Sequence, residues 1–328
     1  MKNKLPSIAI LSLGGTLAAL APTRVDEFYA TSSLSIEELI ANLPELNDIA
    51  NISSEQMVQV PSQDLSGEIW LQLARRIQSL LATDFDGVVI TQGTFTIEET
   101  AYFLNLVCRT EKPIILTGAM HPANALGSDG LRNLYNAVLL AGSPLAKNKG
   151  ILLTFNDEIC SAREVSKTQS DSFHGISKQA LLGYIKGQTI SFYAETSRKH
   201  TLQTEFDISL LENLPDVQIV YGSVGCNPKI IDSLIEMSTA GIISAGMGYG
   251  YQSSAVTQAL IVARKKGVII VRCARSGNLL VSRFPTVDDK CDFISGNNLT
   301  PQKARILLSL ALTRTQNTQE IQGFFDVY

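Results

Sequence analysis

The sequence predicts an α/β protein built on parallel sheets. Short β-branched runs alternate with amphipathic helical stretches over most of the 328 residues, which is the rhythm of repeated β-α-β units. A polar stretch at residues 187–216 interrupts this rhythm, which then resumes. The length also favours two domains over one. We therefore expect α/β domains at residues 1–195 and 217–328, joined by a linker at residues 196–216.

The predicted elements of the first domain follow in chain order. Four apolar, β-branched runs are typical of buried strands, at residues 7–11, 88–91, 113–117 and 151–154, and the segment at residues 57–60 is strand-like. Three stretches carry apolar residues at helical spacing between them: residues 66–81, 97–106 and 131–140.

The second domain repeats the pattern over a shorter span. Strands are predicted at residues 217–221, 241–245 and 268–271, and helices at residues 229–237, 255–266 and 301–312. Thr300 at the N-cap and Pro301 at the first helical position mark the start of the last helix.

Composition limits the partners. A formal net charge of -4 provides no broad basic surface, so neither nucleic acid nor an anionic membrane is an expected partner. No apolar run approaches the roughly 18 residues that a membrane span needs. The N-terminal segment leads into a core-type strand rather than a signal-peptide h-region. A cytoplasmic location is therefore expected, with a periplasmic one left open if a leader was removed.

The cysteines and histidines predict neither disulfides nor metal. The five cysteines are widely spaced, with no CxxC pair, and the three histidines lack the paired spacing of a metal site. We expect a reducing compartment and no metal or other cofactor.

Two polar turns follow predicted strands. Gly14, Gly15 and Thr16 come after the first strand, and a threonine-rich turn containing Thr94 and Phe95 comes after the strand at residues 88–91. In α/β proteins the carboxyl ends of parallel strands border the binding crevice, where Thr16 would project. A plain turn that needs glycine is the alternative. The glycine spacing does not match a dinucleotide or phosphate-binding loop.

Three further segments carry candidate residues. The stretch at residues 18–33 has the length of a functional lid, on which Tyr29 could transfer a proton or simply pack. Ser62 and Gln63 precede a helix and could hold a carboxylate or form a capping turn. Lys167 lies among hydroxyl residues and could act as a base if desolvated, or be an ordinary solvated lysine.

Taken together, the motifs resemble the bacterial-type L-asparaginase family over nearly the whole chain. They occur in the order Gly-Gly-Thr at residues 14–16, Ser-Gln-Asp at 62–64, Thr-x-Gly-Thr-x-Thr-x-Glu-Glu-Thr at 91–100, Thr-Gly-Ala-Met at 117–120 and Arg-Glu-Val-Ser-Lys-Thr at 163–168. Matching segments also occur at residues 129–137, 197–201 and 301–305.

The resemblance implies an asparaginase-like fold with a larger N-terminal, mixed but mostly parallel sheet, a smaller C-terminal Rossmann-like parallel sheet, and helices on both faces. It implies hydrolysis of a side-chain carboxamide, without a cofactor, by a homotetramer built as a dimer of intimate dimers. The C-terminal domain would complete the site of the neighbouring subunit.

The resemblance also implies roles for single residues. Thr16 would be the nucleophile and Tyr29 its lid partner, while Thr94 and Lys167 would be the second hydroxyl and its base. The substrate-binding set would comprise Gly15, Ser62, Gln63, Phe95, Ala119, Tyr251 and Thr286. Within this set Ser62 and Gln63 would bind the substrate carboxylate, and backbone near Thr94 and Ala119 would polarise its carbonyl.

The chain departs from the family where the substrate's α-ammonium would bind. Phe95, Tyr251 and Thr286 stand at positions that the family fills with aspartate, asparagine and glutamate. Burying an unpaired ammonium there would cost several kcal/mol, so free asparagine should bind poorly. Either the substrate is a different ω-amide, or the protein is a catalytically impaired homologue that binds a ligand.

The loss of a carboxylate beside Lys167 has two opposite effects on this lysine as a base. An apolar neighbour favours the neutral lysine that a base requires. No group would then orient the lysine. We favour retained amide hydrolysis, because Thr16, Tyr29, Thr94 and Lys167 are all present.

Overall fold

The computed structural model of the chain describes residues 4–26, 34–167, 180–276 and 279–328. The chain divides into two compact units, Met1–Leu210 and Leu211–Tyr328. The division falls within the segment expected to be a linker, residues 196–216. Part of that segment packs into the first unit, because Phe206 is buried and Arg75 donates a hydrogen bond to the Ile208 carbonyl (3.2 Å). The predicted domain boundaries stay a prediction.

The first unit contains an eight-stranded sheet. Its strands, in chain order, are β1 Ser7–Ser12, β2 Asn51–Gln56, β3 Gly87–Thr91, β4 Ile114–Thr117, β5 Ile151–Phe155, β6 Glu158–Ser161, β7 Leu181–Lys186 and β8 Thr189–Phe192. The spatial order is β2-β1-β3-β4-β5-β6-β7-β8. Strands β2 to β5 are parallel along this order, and the remaining pairs are antiparallel. This is the mixed, mostly parallel sheet expected.

Helices cover both faces of this sheet. They are α1 Ile36–Ala41, α2 Gly67–Leu81, α3 Ile97–Val107 and α4 Gly130–Ala141. On one face, α1 and α4 pack in a buried cluster with alternate strand residues such as Ile8, Val89 and Ile115. Every residue of β3, β4 and β5 is buried. Burial on both faces is typical of parallel strands in α/β proteins and explains their continuous apolar sequences.

The second unit contains a parallel four-stranded sheet. Its strands are β9 Val217–Tyr221, β10 Gly241–Gly246, β11 Ile269–Ala274 and β12 Ile294–Ser295, in the spatial order β12-β11-β10-β9. Its helices are α5 Lys229–Glu236, α6 Ser254–Lys265, α7 Asp288–Cys291, α8 Pro301–Ala311 and α9 Thr318–Val327. The fold class predicted from the sequence is thus confirmed. In the described part of the chain, no helix combines the length and apolarity needed to cross a bilayer.

Two local predictions were wrong. Residues 57–60 form a loop, and the strand precedes them as β2, a half-exposed edge strand too polar to read as buried. The polar stretch contains β8, the outer strand of a hairpin that turns at Gly187 with φ 62°. The predicted start of the last helix is confirmed, with Thr300 at the N-cap of α8 and Pro301 at its first position, although the Thr300 side chain makes no capping hydrogen bond.

Three of the five cysteines are chemically protected by the fold. Burial raises the pKa of the Cys108, Cys160 and Cys273 thiols to about 12, and the charge of Glu158 adds to the effect at Cys160. Thiolate is the reactive form of cysteine, so these three side chains are poor nucleophiles at neutral pH.

Candidate active site

The polar turns lie together because their strands are neighbours. Strand β3 lies between β1 and β4, with Thr91 paired in register to Ser12 on one side and to Thr117 on the other. Just beyond the strands, the Leu13 amide donates to the Thr91 carbonyl (2.9 Å), and the Gln92 amide donates to the Thr117 carbonyl (3.1 Å). The three turns that carry the candidate residues are therefore tied to one another at the carboxyl edge of the sheet.

Glycine allows these turns to touch. Gly15 has φ 99° and ψ -176°, and a Cβ atom built on it would lie 2.2 Å from the Gly93 nitrogen. A Cβ on Gly93 would lie 2.9 Å from Ser62 Oγ, and one on Gly118 would lie 2.5 Å from the Gln92 carbonyl oxygen. The turns of Gly15, Gly93 and Gly118 thus meet with backbone in contact, and the Ser62 side chain lies against Gly93.

Thr16 follows the first of these glycines. It begins a short 3₁₀ helix, Thr16–Ala18, and is half-buried, whereas Leu17 and Ala18 are buried and anchor the turn. Thr94 follows Gly93, so the two threonines extend from backbones in contact. Tyr29 lies in residues 27–33, outside the described residues.

Thr94 and Lys167 are directly hydrogen-bonded. Lys167 Nζ donates to Thr94 Oγ1 at 2.5 Å, and Thr94 is 5% exposed. The main chain at Lys167 is also fixed, because its amide donates to Glu98 Oε2 (3.0 Å) in the first turn of α3. No role was predicted for Glu98 from the sequence. An acidic residue in the first turn of the helix that follows the threonine motif is the signal that could have indicated one.

Phe95 contacts the same lysine. Lys167 Nζ lies 4.7 Å from the centroid of the Phe95 ring, which is within the range of a cation–π interaction. The Phe95 side chain is otherwise open, at 65% exposure. The sequence led us to expect no orienting group beside Lys167 once the carboxylate is lost, and the structure places the Phe95 ring at this distance from its ammonium.

Ser62 lies against the Gly93 turn, and Gln63 follows it in the chain. They belong to a 3₁₀ turn, Ser62–Asp64, in which Ser62 is buried and Gln63 is exposed. The Thr96 hydroxyl donates to the Ser62 carbonyl (2.8 Å) and accepts from Gln92 Nε2 (3.3 Å). This chain of hydrogen bonds fixes Ser62 relative to the threonine motif.

The turn around Ala119 is held by the start of α4. Asp129 accepts hydrogen bonds from the amides of Met120 (3.0 Å) and His121 (3.1 Å). Asn133 Nδ2 donates to the Gly118 carbonyl (3.0 Å) and to Asp129 (2.8 Å). Ala119 itself is fully buried. Asp129 and Asn133 belong to the family-like segment at residues 129–137, and their hydrogen bonds fix this turn.

Tyr251 and Thr286 lie in the second unit, on loops tied together by a buried ion pair. Arg272 of β11 binds Asp288 through two contacts of 2.6 and 2.7 Å, and it also donates to the Tyr249 carbonyl (3.1 Å). The Tyr251 ring is 49% exposed and stacks on Phe284, with ring centroids 6.4 Å apart. Thr286 is exposed two residues further on.

The geometry of the first unit is that of an α/β enzyme whose candidate groups meet at the carboxyl ends of parallel strands. Residues 7–198 match the family model described as "Asparaginase, N-terminal", and residues 216–325 match "Glutaminase/Asparaginase C-terminal domain". The chain therefore belongs to the asparaginase family, and it is an amidohydrolase.

Three similar proteins illustrate the relationship. L-asparaginase 2 of Bacillus subtilis (strain 168) is 44% identical, over 100% of this chain and 88% of that protein. Glutaminase-asparaginase of Pseudomonas fluorescens biotype A is 42% identical, over 100% and 92%. The crystal structure of "Probable Cytoplasmic L-asparaginase from Campylobacter jejuni" superposes with a TM-score of 0.96 and 42% identity, covering 98% of this chain and 100% of that one.

Proposed function

We propose that this amidohydrolase converts a side-chain carboxamide to a carboxylate and ammonia, with Thr16 as the nucleophile. The Thr16 hydroxyl attacks the amide carbon, ammonia leaves, and water then hydrolyses the resulting ester. Tyr29 acts as the partner of Thr16. A threonine hydroxyl is a weak nucleophile until a base takes its proton, and donors must stabilise the oxyanion that forms.

The observation that carries this proposal is the 2.5 Å hydrogen bond between Lys167 Nζ and Thr94 Oγ1. It supplies a hydroxyl and a base in contact, next to the glycine turn that bears Thr16. Ser62 and Gln63 bind the substrate carboxylate, while Gly15 and the backbone near Thr94 and Ala119 face the scissile amide. The Asp129 and Asn133 hydrogen bonds keep the Ala119 turn rigid, as oxyanion stabilisation requires.

The test is a panel of ω-amides. Ammonia release is measured with asparagine, glutamine, D-asparagine, succinamate and N-acylated asparagine, using the wild type and Thr16→Ala. We expect turnover of at least one amide by the wild type and a loss of at least about a hundred-fold in Thr16→Ala. Equal rates in the two proteins would remove Thr16 from the mechanism.

We further propose that the substrate lacks a free α-amine or carries an apolar group in its place. Phe95, Tyr251 and Thr286 offer no carboxylate for an ammonium, and Tyr251 and Thr286 would reach the site from a neighbouring subunit. Phe95 and Tyr251 present exposed aromatic surface instead. In Phe95→Asp/Tyr251→Asn, asparagine hydrolysis should improve by at least about ten-fold, since several kcal/mol of ammonium desolvation is relieved. Hydrolysis of N-acylated asparagine should fall in the same variant, and a rise in both would contradict the proposal.

The replacements at Phe95, Tyr251 and Thr286 favour a second candidate function, the binding of a ligand without catalysis. A homologue that has lost catalysis but keeps Ser62 and Gln63 would still bind a dicarboxylate or amide ligand. It would release no ammonia from any amide of the panel, yet its melting temperature would rise with ligand concentration. Turnover of any panel member above the Thr16→Ala rate excludes this candidate.

For assembly and location, we propose a cytoplasmic homotetramer that is a dimer of intimate dimers. The Campylobacter jejuni structure is described as a probable cytoplasmic enzyme, which supports the location. Light scattering coupled to gel filtration tests the assembly, with a mass of four 35.6 kDa chains expected. A monomer mass at working concentration would contradict it.

A further inference from the structure

We propose that Phe95 is a positioning residue for Lys167. The Phe95 ring makes a cation–π contact, instead of an ion pair, with the Lys167 ammonium and so holds it against the Thr94 hydroxyl. This inference rests on the proposed role of Lys167 as the base. With this contact, Phe95 does more than replace a substrate-binding aspartate, because it also positions the lysine that acts as the base.

Lys167 is held at both of its ends. Its main-chain amide is fixed by Glu98 (3.0 Å), and its Nζ lies between Thr94 Oγ1 (2.5 Å) and the Phe95 ring (4.7 Å to the centroid). A lysine side chain has a flexible four-carbon stem, so a contact near its tip restricts the directions that Nζ can take. The ring provides that contact from the residue next to Thr94.

The aromatic ring differs from a carboxylate in two ways that matter for a base. It offers no lone-pair acceptor of the carboxylate type, so it draws no Nζ proton into an ion pair with residue 95. It also attracts the ammonium less strongly than a full negative charge would, and so orients the lysine with a smaller bias towards its charged form.

The charged groups on the elements around Lys167 are the same in every variant at residue 95. Glu98 and Glu99 lie in the first turn of α3, and Arg163 pairs with Glu164 (2.8 Å) in the turn that precedes Lys167. None of them changes when residue 95 is substituted. Differences between variants at this position therefore report the side chain at 95 itself.

Competitive acylation of lysines with acetic anhydride across a pH series tests the contact without requiring turnover. Mass spectrometry gives the labelling midpoint of Lys167 in the wild type, Phe95→Trp, Phe95→Leu and Phe95→Asp. Leucine keeps an apolar side chain but removes the ring face, whereas tryptophan keeps the face. Lys112, which donates to the Leu81, Thr83 and Phe85 carbonyls, is the internal reference.

We expect the Lys167 midpoint to fall by about half a pH unit in Phe95→Leu, which corresponds to the two- to five-fold effect of an exposed cation–π contact. The midpoint should rise in Phe95→Asp, because an adjacent carboxylate favours the ammonium. It should stay at or above the wild-type value in Phe95→Trp, and the Lys112 profile should not move.

Kinetics provide the second measurement. If the wild type releases ammonia, the limiting kcat at pH values above the Lys167 midpoint, where this lysine is neutral in both proteins, should fall about two- to five-fold in Phe95→Leu with little change in KM, since orientation of the base is what is lost. An identical Lys167 midpoint in the wild type and Phe95→Leu would overturn the inference. The wild type could instead show no turnover while the Lys167 midpoint still rises in the order Phe95→Leu, wild type, Phe95→Asp. That result would refute the proposed catalysis but support the contact between Phe95 and Lys167.

Discussion

The close approach of Gly15 to Gly93 gives a prediction that can be worked out from the structure. Replacing Gly15 with alanine has two costs. The backbone at φ 99° and ψ -176° belongs to a region that only glycine occupies readily, which costs about 1–3 kcal/mol for another residue. The new Cβ would also lie 2.2 Å from the Gly93 nitrogen, so the backbone must shift, at about 1–3 kcal/mol more.

Gly127 is a matched control. It has φ 74°, but a Cβ atom there would meet nothing within 4 Å. Gly127→Ala should therefore cost only the left-handed backbone term, about 1–2 kcal/mol. Differential scanning fluorimetry should show Gly15→Ala losing at least about twice as much melting temperature as Gly127→Ala, at roughly 2–4 °C per kcal/mol.

Activity should separate the same two variants. A displaced Thr16 should reduce ammonia release by about a hundred-fold in Gly15→Ala, whereas Gly127→Ala should remain active. If Gly15→Ala does not fold, Gly93→Ala is the milder test, because its Cβ would meet the Ser62 side chain at 2.9 Å rather than backbone. Equal melting temperatures for Gly15→Ala and Gly127→Ala would refute the contact between the two turns.

Three further predictions concern the rest of the chain. Asp288→Ala should destabilise the second unit by about 3–5 kcal/mol in urea unfolding, because it leaves buried Arg272 unpaired, whereas Asp289→Ala in the exposed neighbouring pair should cost under about 1 kcal/mol. At about pH 8, dithionitrobenzoate should label two of the five cysteines in the folded protein and all five in denaturant, since three thiols have pKa values raised by burial. Burial lowers the pKa of His200 below its usual 6.5, so the folded state should lose stability as pH falls below that value. The loss should be smaller in His200→Gln, and identical profiles of stability against pH for the two proteins would contradict this.

Much of the fold could be predicted from the sequence because its central strands are buried on both faces. The run at residues 88–91 is continuously apolar up to its final threonine, and it lies in β3 at Gly87–Thr91. Strands β2 and β8 lie at the sheet edges and are partly exposed, so their sequences lack that signal. Edge strands take their stability from the neighbour they pair with, which the local sequence does not contain.

The site could be predicted in outline for a different reason. Residues after neighbouring parallel strands must meet at one edge of the sheet, which places Thr16, Thr94 and Ala119 together. The contact of Lys167 with Phe95 could not be predicted, because it joins side chains 72 positions apart and depends on the direction of both. The support that Glu98 gives to the Lys167 amide is equally long-range.

Ammonia release from the ω-amide panel by the wild type and Thr16→Ala tests the central claim most directly. We predict that the wild type turns over at least one amide, that N-acylated asparagine or succinamate is preferred to asparagine, and that Thr16→Ala abolishes the preferred reaction. Unchanged ammonia release in Thr16→Ala, or a wild type that hydrolyses none of the amides, would contradict the account.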